Sequence, residues 1–314
     1  MTIAFVFPGQ GSQTVGMGKD LYDNFKSAKD IFDETSDALD INFAKMVFDG
    51  DADTLNKTEN AQPALMCVSM AVVNVLKKEF GYDIAVKGAY LAGHSLGEYS
   101  ALCAASALSV RDAAKLLRFR GEAMNRAVPE GIGSMAAVLG MKAAVLSDVV
   151  KEAAGNEICV IANDNCDSQI VISGAKTAVG RAMDLAKAKG AKRCVELAVS
   201  VPSHSPMMAK AADEMAAFLE NIEIKTPVVK VVQNVKAASV SDPREIKDNL
   251  IKQLTGQVRW RESVIYMADN GVDAVFELGA GKVLTGINRK INSGLRLSAV
   301  GTLSDVDEFI KNNS

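Results

Sequence analysis

The chain has 314 residues and a mass of 33.3 kDa, which suits one large domain that carries a smaller one. Hydrophobic residues make up 48% of it, enough for a sizeable core, which excludes a disordered chain or a repetitive fibre. The net charge of −3 argues against nucleic-acid binding and against an anionic membrane surface. No apolar run could span a bilayer, and the sequence shows no signal-peptide pattern, so we expect no membrane binding.

Strands and helices alternate through most of the chain. An unbroken apolar run at residues 3–7 predicts a strand buried on both faces, as in a parallel sheet. A helix over residues 63–80 follows, with Pro63 in its first turn, and then a strand over residues 89–92 that turns into a small-residue helix ending near Ser106. The remaining strands are predicted at 228–232, 274–278 and 297–300. A capping-box pattern of Asp242 and Glu245, with Pro243 at the first position, predicts the start of one helix, and another helix is predicted over 259–271. This order predicts an α/β fold with a doubly wound, hydrolase-like parallel sheet.

The stretch from Gly133 to Leu197 breaks that alternation. Its pattern predicts strand 135–139, helix 143–154, strands 158–162 and 169–173, helix 178–189 and strand 193–197. The order βαββαβ is that of a ferredoxin-like unit. We therefore expect a discontinuous large domain formed by residues 1–128 and 199–314, with a small inserted domain at residues 129–198.

The segment Gly93-His94-Ser95-Leu96-Gly97 matches the G-x-S-x-G pattern of a nucleophilic serine. Glycine on both sides allows a sharp turn from strand to helix, which exposes the serine Oγ at the carboxyl end of the sheet. The backbone N–H of the next residue can then face a developing oxyanion. The pattern alone also fits an ordinary turn, and the flanking strand and helix favour a nucleophile.

A nucleophilic serine needs a base, and the chain has two histidines. His94 is adjacent to Ser95, where neighbouring side chains diverge, so we expect it to support the turn. His204 lies in a proline-bracketed loop that follows a strand-like segment, and such loops gather at the ligand crevice of α/β sheets. No acidic residue closely precedes His204, so a carbonyl oxygen is an alternative orienting group.

Arg120 lies on a predicted helix that returns towards the level of Ser95. A guanidinium there would bind a carboxylate through two hydrogen bonds and keep its charge. The alternative is an exposed arginine on an amphipathic helix that also carries Arg111 and Arg118, and the spacing fits both interpretations equally well.

Three other patterns fail to indicate a metal or a cofactor. The Gly9-Gln10-Gly11 segment lacks the third glycine of a dinucleotide loop, since Thr14 stands there, and the Gly279-Ala280-Gly281-Lys282 segment lacks a Walker A serine or threonine. The five cysteines include no CxxC pair and indicate reduced thiols in a cytoplasmic protein. We expect no metal site and no cofactor.

Four separated motifs resemble the malonyl-CoA:acyl carrier protein transacylase family of bacterial fatty acid synthesis. They are residues 5–13 (FVFPGQGSQ), 93–99 (GHSLGEY), 201–204 (VPSH) and 277–284 (ELGAGKVL). The resemblance implies a cytoplasmic acyltransferase of lipid metabolism that moves malonyl from malonyl-CoA to the phosphopantetheine thiol of acyl carrier protein. It implies a ping-pong mechanism through a malonyl-serine intermediate, with coenzyme A thioester as a substrate rather than a cofactor.

The resemblance also assigns roles to individual residues. It makes Ser95 the nucleophile and His204 the base of a Ser-His dyad, with the backbone carbonyl of Gln253 steadying the imidazole. It makes Arg120 the group that binds the malonyl carboxylate. It places the oxyanion-binding amides at Gln10 and Leu96.

Two other functions stay open at this level. A serine thioesterase or esterase of the α/β-hydrolase type would use the same serine, but it would need a carboxylate partner for its histidine and no Arg120. A catalytically silent module that binds carrier protein would not need the Ser95 and His204 pair.

Overall fold

The computed structural model describes residues 1–199 and 201–313, and these form two β-sheets surrounded by helices. Residues 200 and 314, both within the predicted large domain, lie outside the described residues. The strands are β1 (Ile3–Phe7), β2 (Gly88–Gly93), β3 (Gly133–Leu139), β4 (Cys159–Cys166), β5 (Gln169–Ala175), β6 (Arg193–Glu196), β7 (Lys230–Gln233), β8 (Ala238–Val240), β9 (Ala274–Leu278) and β10 (Arg296–Val300).

The helices precede, connect and follow these strands. They are α1 (Lys19–Asn24), α2 (Lys26–Leu39), α3 (Phe43–Asp49), α4 (Ala52–Asn56), α5 (Thr58–Lys78), α6 (Ile84–Lys87), α7 (Gly97–Ala104), α8 (Val110–Ala127), α9 (Ala143–Ala154), α10 (Lys176–Ala188), α11 (Ala209–Glu220), α12 (Pro243–Thr255), α13 (Trp260–Asp269), α14 (Val283–Ile291) and α15 (Leu303–Asn313). A short 3-10 helix, Pro206–Met208, precedes α11. None of the helices formed by the described residues is both long and apolar enough to cross a membrane.

The larger sheet has the strand order β10-β9-β1-β2-β7-β8. β1 pairs in parallel with β2 and β9, and all its residues are buried. Because side chains alternate along a strand, Phe5 and Phe7 enter the core on one face, whereas Ala4 and Val6 enter the core on the other. Helices therefore cover both faces, and the predicted doubly wound sheet is confirmed. The edge strand β8 differs from the prediction because it pairs antiparallel with β7.

The smaller sheet is antiparallel, with the order β4-β5-β3-β6. Its strands and the helices α9 and α10 follow each other as βαββαβ, so the predicted ferredoxin-like unit is confirmed. α9 and α10 enclose a separate core with this sheet, which includes Leu146, Ile172 and Val179. The domain boundaries next to residues 129 and 198 stay a prediction.

The predicted start of the helix at Pro63 is wrong, since α5 begins at Thr58 and contains Pro63 in its interior. Proline has no N–H to donate to the carbonyl of Glu59, four residues earlier. That carbonyl accepts a hydrogen bond from Arg118 Nη1 at 3.4 Å instead, so the helix continues through the proline.

The predicted opening of α12 is confirmed in part. Pro243 is the first helical residue, and the Asp242 side chain caps the helix by accepting from the N–H of Arg244 at 2.9 Å. Glu245, the other member of the predicted capping box, pairs with Lys236 at 3.0 Å.

Candidate active site

Ser95 lies in the sharp turn between β2 and α7. Its φ of 53° is left-handed, a conformation that costs free energy in any residue with a side chain. The turn requires glycine, because a Cβ on Gly93 would lie 1.9 Å from backbone atoms of Gly97. A Cβ on Gly97 would in turn lie 2.3 Å from the carbonyl oxygen of Phe7 on the neighbouring strand.

His204 contacts Ser95 across the loop that precedes α11. Its Nε2 lies 2.9 Å from Ser95 Oγ, and its Nδ1 lies 2.7 Å from the backbone carbonyl oxygen of Gln253. A carbonyl oxygen only accepts hydrogen bonds, so the proton of a neutral imidazole lies on Nδ1 and Nε2 is left as an acceptor for the serine hydroxyl. The structure thus brings Ser95, His204 and Gln253 together, and among the described residues no carboxylate is hydrogen-bonded to the imidazole.

The imidazole of His204 is kept neutral by its surroundings. Burial, followed by the nearby positive charge of Arg120, lowers the pKa of His204 to about 3. The unprotonated Nε2 is therefore available as an acceptor for the serine hydroxyl.

Arg120 is buried, with 2% of its surface exposed, so the alternative of an exposed arginine is excluded. Its Nη2 donates to Ser95 Oγ at 3.1 Å and to Gln253 Oε1 at 3.0 Å. Its Nη1 donates to Gln62 Oε1 at 2.7 Å, which orients the planar group. Burial lowers the pKa of the guanidinium, but an arginine starts so high that it stays charged. A fixed positive charge therefore lies beside the serine.

Leu96 and Gln10, the predicted oxyanion residues, both lie next to the Ser95 turn. Leu96 directly follows Ser95 and is buried. The Gln10 loop packs against the turn, because a Cβ on Gly9 would lie 2.8 Å from the carbonyl oxygen of His94. Among the described residues, neither the Leu96 N–H nor the Gln10 N–H has a hydrogen-bond acceptor. Their role in binding an oxyanion stays a prediction.

A cleft of about 730 Å³ opens beside Gln10. The start of α5 forms one wall, at Lys57 and Thr58, and the two connections to the smaller sheet form another, at Val128 and Val201. Thr58 also lies against Gly121, the neighbour of Arg120. Its volume would hold an extended substrate arm, but its lining includes Gln10 and not Ser95, His204 or Arg120.

His94 supports the turn, as expected. Its Nε2 lies 2.8 Å from Asn165 Oδ1 on β4, and its ring packs on Trp260 with centroids 5.6 Å apart. Burial lowers the pKa of His94.

Three buried polar residues at the site were not found from the sequence: Gln62, Glu98 and Asn234. Burial raises the pKa of Glu98 to about 7, although hydrogen bonds from Asn234 and Gln253 oppose the shift. The sequence contained a signal for Glu98, because it places a carboxylate inside the small-residue helix α7. Asn234 follows a strand at the carboxyl edge of the sheet, which was a weaker signal. Among the described residues, no group of His, Cys, Asp or Glu could hold a metal ion.

Comparison with known proteins identifies relatives over nearly the whole chain. A model of the acyl transferase domain family matches residues 4–303. The chain is 46% identical over 310 residues to a malonyl CoA-acyl carrier protein transacylase of Bacillus subtilis strain 168, covering 98% of this chain and 96% of that protein.

Solved structures agree with these matches. The fold superposes with a TM-score of 0.97 on an acyl-carrier-protein-S-malonyltransferase from Bartonella henselae, with 46% identity and 99% of each chain covered. It superposes with a TM-score of 0.96 on a malonyl-transacylase in complex with a type II PKS acyl-carrier protein, with 40% identity and 100% of each chain covered.

Proposed function

The chain belongs to the acyl transferase domain family, and from this membership and the geometry around Ser95 we propose that it transfers malonyl from malonyl-CoA to acyl carrier protein. The observation that carries the proposal is the 3.1 Å contact between Arg120 Nη2 and Ser95 Oγ. A carboxylate on the acyl group bound to that oxygen meets a buried, permanent positive charge. The names of the relatives support the same substrates.

The first half-reaction acylates Ser95. Its Oγ–H proton passes to His204 Nε2 as Oγ attacks the thioester carbonyl carbon of malonyl-CoA. The N–H groups of Leu96 and Gln10 stabilise the resulting oxyanion. The carbon–sulfur bond then breaks, and the coenzyme A sulfur takes the proton from the imidazolium.

The second half-reaction runs the same steps in reverse with another thiol. The phosphopantetheine thiol of acyl carrier protein gives its proton to His204, and its sulfur attacks the malonyl-serine ester. The ester carbon–oxygen bond breaks, and Ser95 Oγ recovers its proton from the imidazolium. The reaction needs no cofactor, because the thioester supplies the activated acyl group. We place the enzyme in the cytoplasm, which the five free cysteine thiols support.

A serine thioesterase is less well supported. Its histidine would be oriented by a carboxylate, whereas the Nδ1 of His204 contacts a backbone carbonyl oxygen. A thioesterase also has no use for a buried guanidinium beside the nucleophile.

The direct test is to trap the acyl-enzyme. We expect intact-protein mass spectrometry to show one malonyl adduct after incubation with malonyl-CoA, and the adduct to move to holo acyl carrier protein on its addition. Ser95→Ala should form no adduct, whereas Ser109→Ala, which alters a helix cap, should form it normally. Absence of an adduct, or its persistence in Ser95→Ala, would refute the proposal, and free malonate released faster than transfer would favour the thioesterase.

A further inference from the structure

Asn234 bridges the two sides of the nucleophile turn. It follows β7 directly and is fully buried. Its Nδ2 donates to the carbonyl oxygen of Gly93 at 2.7 Å, and its Oδ1 accepts the N–H of Ser95 at 2.7 Å. One side chain thus holds the last residue of β2 and the serine itself.

The amide of Asn234 has one possible orientation. Rotating it by half a turn would place Nδ2 against the N–H of Ser95 and Oδ1 against the carbonyl oxygen of Gly93, and both hydrogen bonds would be lost. The site therefore requires a donor and an acceptor on one short side chain, which asparagine supplies and aspartate does not.

Glu98 completes a closed ring of hydrogen bonds around the turn. The N–H of Asn234 donates to Glu98 Oε2 at 2.8 Å, and the N–H of Glu98 donates to the carbonyl oxygen of Ser95 at 3.0 Å. The carbonyl oxygen of Asn234 also accepts the N–H of Arg259 at 3.0 Å, which ties it to α13. Asn234 is thus held on its backbone while its side chain holds Ser95.

The contact to Asn234 has a consequence for the oxyanion. The N–H of Ser95 is occupied by Asn234 Oδ1, so it cannot face an acyl oxygen, whereas the N–H of Leu96 has no acceptor among the described residues. Holding Ser95 in its left-handed conformation sets the direction of both its Oγ and the Leu96 N–H.

We propose that Asn234 is a positioning residue for acyl transfer, holding Ser95 so that its Oγ stays on His204 and the Leu96 N–H faces the acyl carbonyl. This inference rests on the proposed function, since it concerns the same serine. It adds a requirement that is independent of the acyl group, because the contacts of Asn234 are made to the backbone of the turn.

The test compares Asn234→Leu with Asn249→Leu. Asn249 is a matched control because it is also buried, and its Nδ2 donates to Gln233 Oε1 at 2.6 Å in the same region. Both variants lose a buried amide, so their unfolding midpoints should fall to a similar extent. The readouts are the pre-steady-state rate of acyl-enzyme formation, and KM, for malonyl-CoA and for acetyl-CoA.

We expect Asn234→Leu to slow acylation roughly a hundredfold for both substrates, with KM changed by less than about threefold, because a small displacement of a nucleophile has an effect of that order. Asn249→Leu should keep the wild-type acylation rate. Equal rates in the two variants, or a loss confined to malonyl, would overturn the inference. Should Asn234→Leu not fold, Asn234→Asp, which keeps the acceptor but replaces the donor, decides by the same criteria.

A second readout separates this inference from the proposed function. Modification of Ser95 by a sulfonyl fluoride needs the positioned nucleophile but no malonyl-CoA. We expect the same loss of modification rate in Asn234→Leu even if wild-type protein were to form no malonyl adduct. Wild-type modification rates in Asn234→Leu would overturn the positioning role irrespective of the acyl donor.

Discussion

At the scale of single residues, the contacts of Arg120 suit selection of a charged acyl group. Its guanidinium reaches Ser95 Oγ and two side-chain oxygens, Gln62 Oε1 and Gln253 Oε1. A lysine ammonium, a point charge on a flexible stem, could not satisfy these directions at once. Both orienting partners are neutral amides, so neither cancels the positive charge, although the buried Glu98 carboxyl also interacts with it.

Replacing Arg120 by alanine should impair malonyl transfer selectively. Loss of the charged hydrogen bonds should cost roughly 1.5–3 kcal/mol of transition-state binding, or about ten- to a hundredfold in kcat/KM for malonyl-CoA. Acetyl-CoA has no second carboxylate, so its kcat/KM should change much less. Steady-state kinetics with both substrates provides the measurement. Equal losses for the two substrates would show that Arg120 does not bind the acyl carboxylate.

The pH dependence should report the environment of His204. Burial and the charge of Arg120 lower the pKa of His204 to about 3, so the imidazole stays deprotonated well below the ordinary histidine range. The acidic limb of kcat/KM that reports His204 should therefore lie below the pKa of free histidine, whereas a limb near 7 would report Glu98. In Arg120→Ala the positive charge is gone, the pKa of His204 rises, and the limb should move to higher pH. Acetyl-CoA is the substrate of choice, because it adds no titrating carboxyl, and a limb that stays in place would contradict the coupling.

At the scale of elements, the turn between β2 and α7 decides where Ser95 lies. The turn places Ser95 at the carboxyl end of the parallel strand β2, and the loop after β7 supplies Asn234 at the same edge of the sheet. Parallel strands bring the loops at their carboxyl ends together, which is why such edges hold binding sites. The small residues of the turn follow from close backbone contact rather than from flexibility.

Adding one methyl group at Gly93 should disrupt this turn. The new Cβ would lie 1.9 Å from backbone atoms of Gly97, which cannot move aside as a side chain could. We expect Gly93→Ala to lower the free energy of unfolding by about 3 kcal/mol or more, and to abolish acylation. Denaturant unfolding measures the first effect.

Gly180→Ala is the matched control for that experiment. Gly180 lies in α10, and a Cβ there would meet nothing within 4 Å. Alanine should raise the free energy of unfolding by about 0.4–1 kcal/mol, because it restricts the unfolded chain without straining the helix. Comparable destabilisation by the two substitutions would show that the close contact at Gly93 is not what the turn requires.

At the scale of the whole molecule, β4 of the smaller sheet is joined to the elements that carry the site. Its Asp164 binds the guanidinium of Arg261 on α13, with contacts between 2.6 and 3.1 Å. Backbone hydrogen bonds to Val258 flank this pair, and Asn165 holds the ring of His94. The smaller sheet therefore reaches the residue next to Ser95.

Removing the arginine of this pair should destabilise the protein. Arg261→Met leaves the buried carboxylate of Asp164 without its cation, and since Arg261 is only 28% exposed, we expect a loss of about 1–3 kcal/mol. The double variant Arg261→Met/Asp164→Asn, which also removes the charge, should recover part of that loss. Thermal unfolding of the two variants and of Asp164→Asn checks this. A double variant that is less stable than Arg261→Met would contradict the explanation.

Local sequence patterns predicted the helices and strands whose bounds depend on residues nearby in the chain. The bounds of α9 and β9 agree with the apolar periodicity, and the Pro243 start of α12 agrees with its capping residues. The start of α5 was missed because it depends on a contact between distant residues. The carbonyl oxygen of Glu59, to which Pro63 cannot donate, accepts a hydrogen bond from Arg118. The antiparallel strand β8 was missed because it is three residues long and carries little pattern.

By itself the sequence determined the α/β architecture, the βαββαβ insertion, the turn at Ser95 and, since only two histidines exist, the choice of His204 as the candidate base. These features depend on backbone sterics and side-chain periodicity, which act over short stretches of the chain, and on composition, which is known without a structure. Only the tertiary structure decided that Arg120 is buried beside Ser95 and that Asn234 and Glu98 enclose the turn. The reason is that these contacts join helices and strands distant in the chain, and only the packing of the sheet and its helices sets the distances between them.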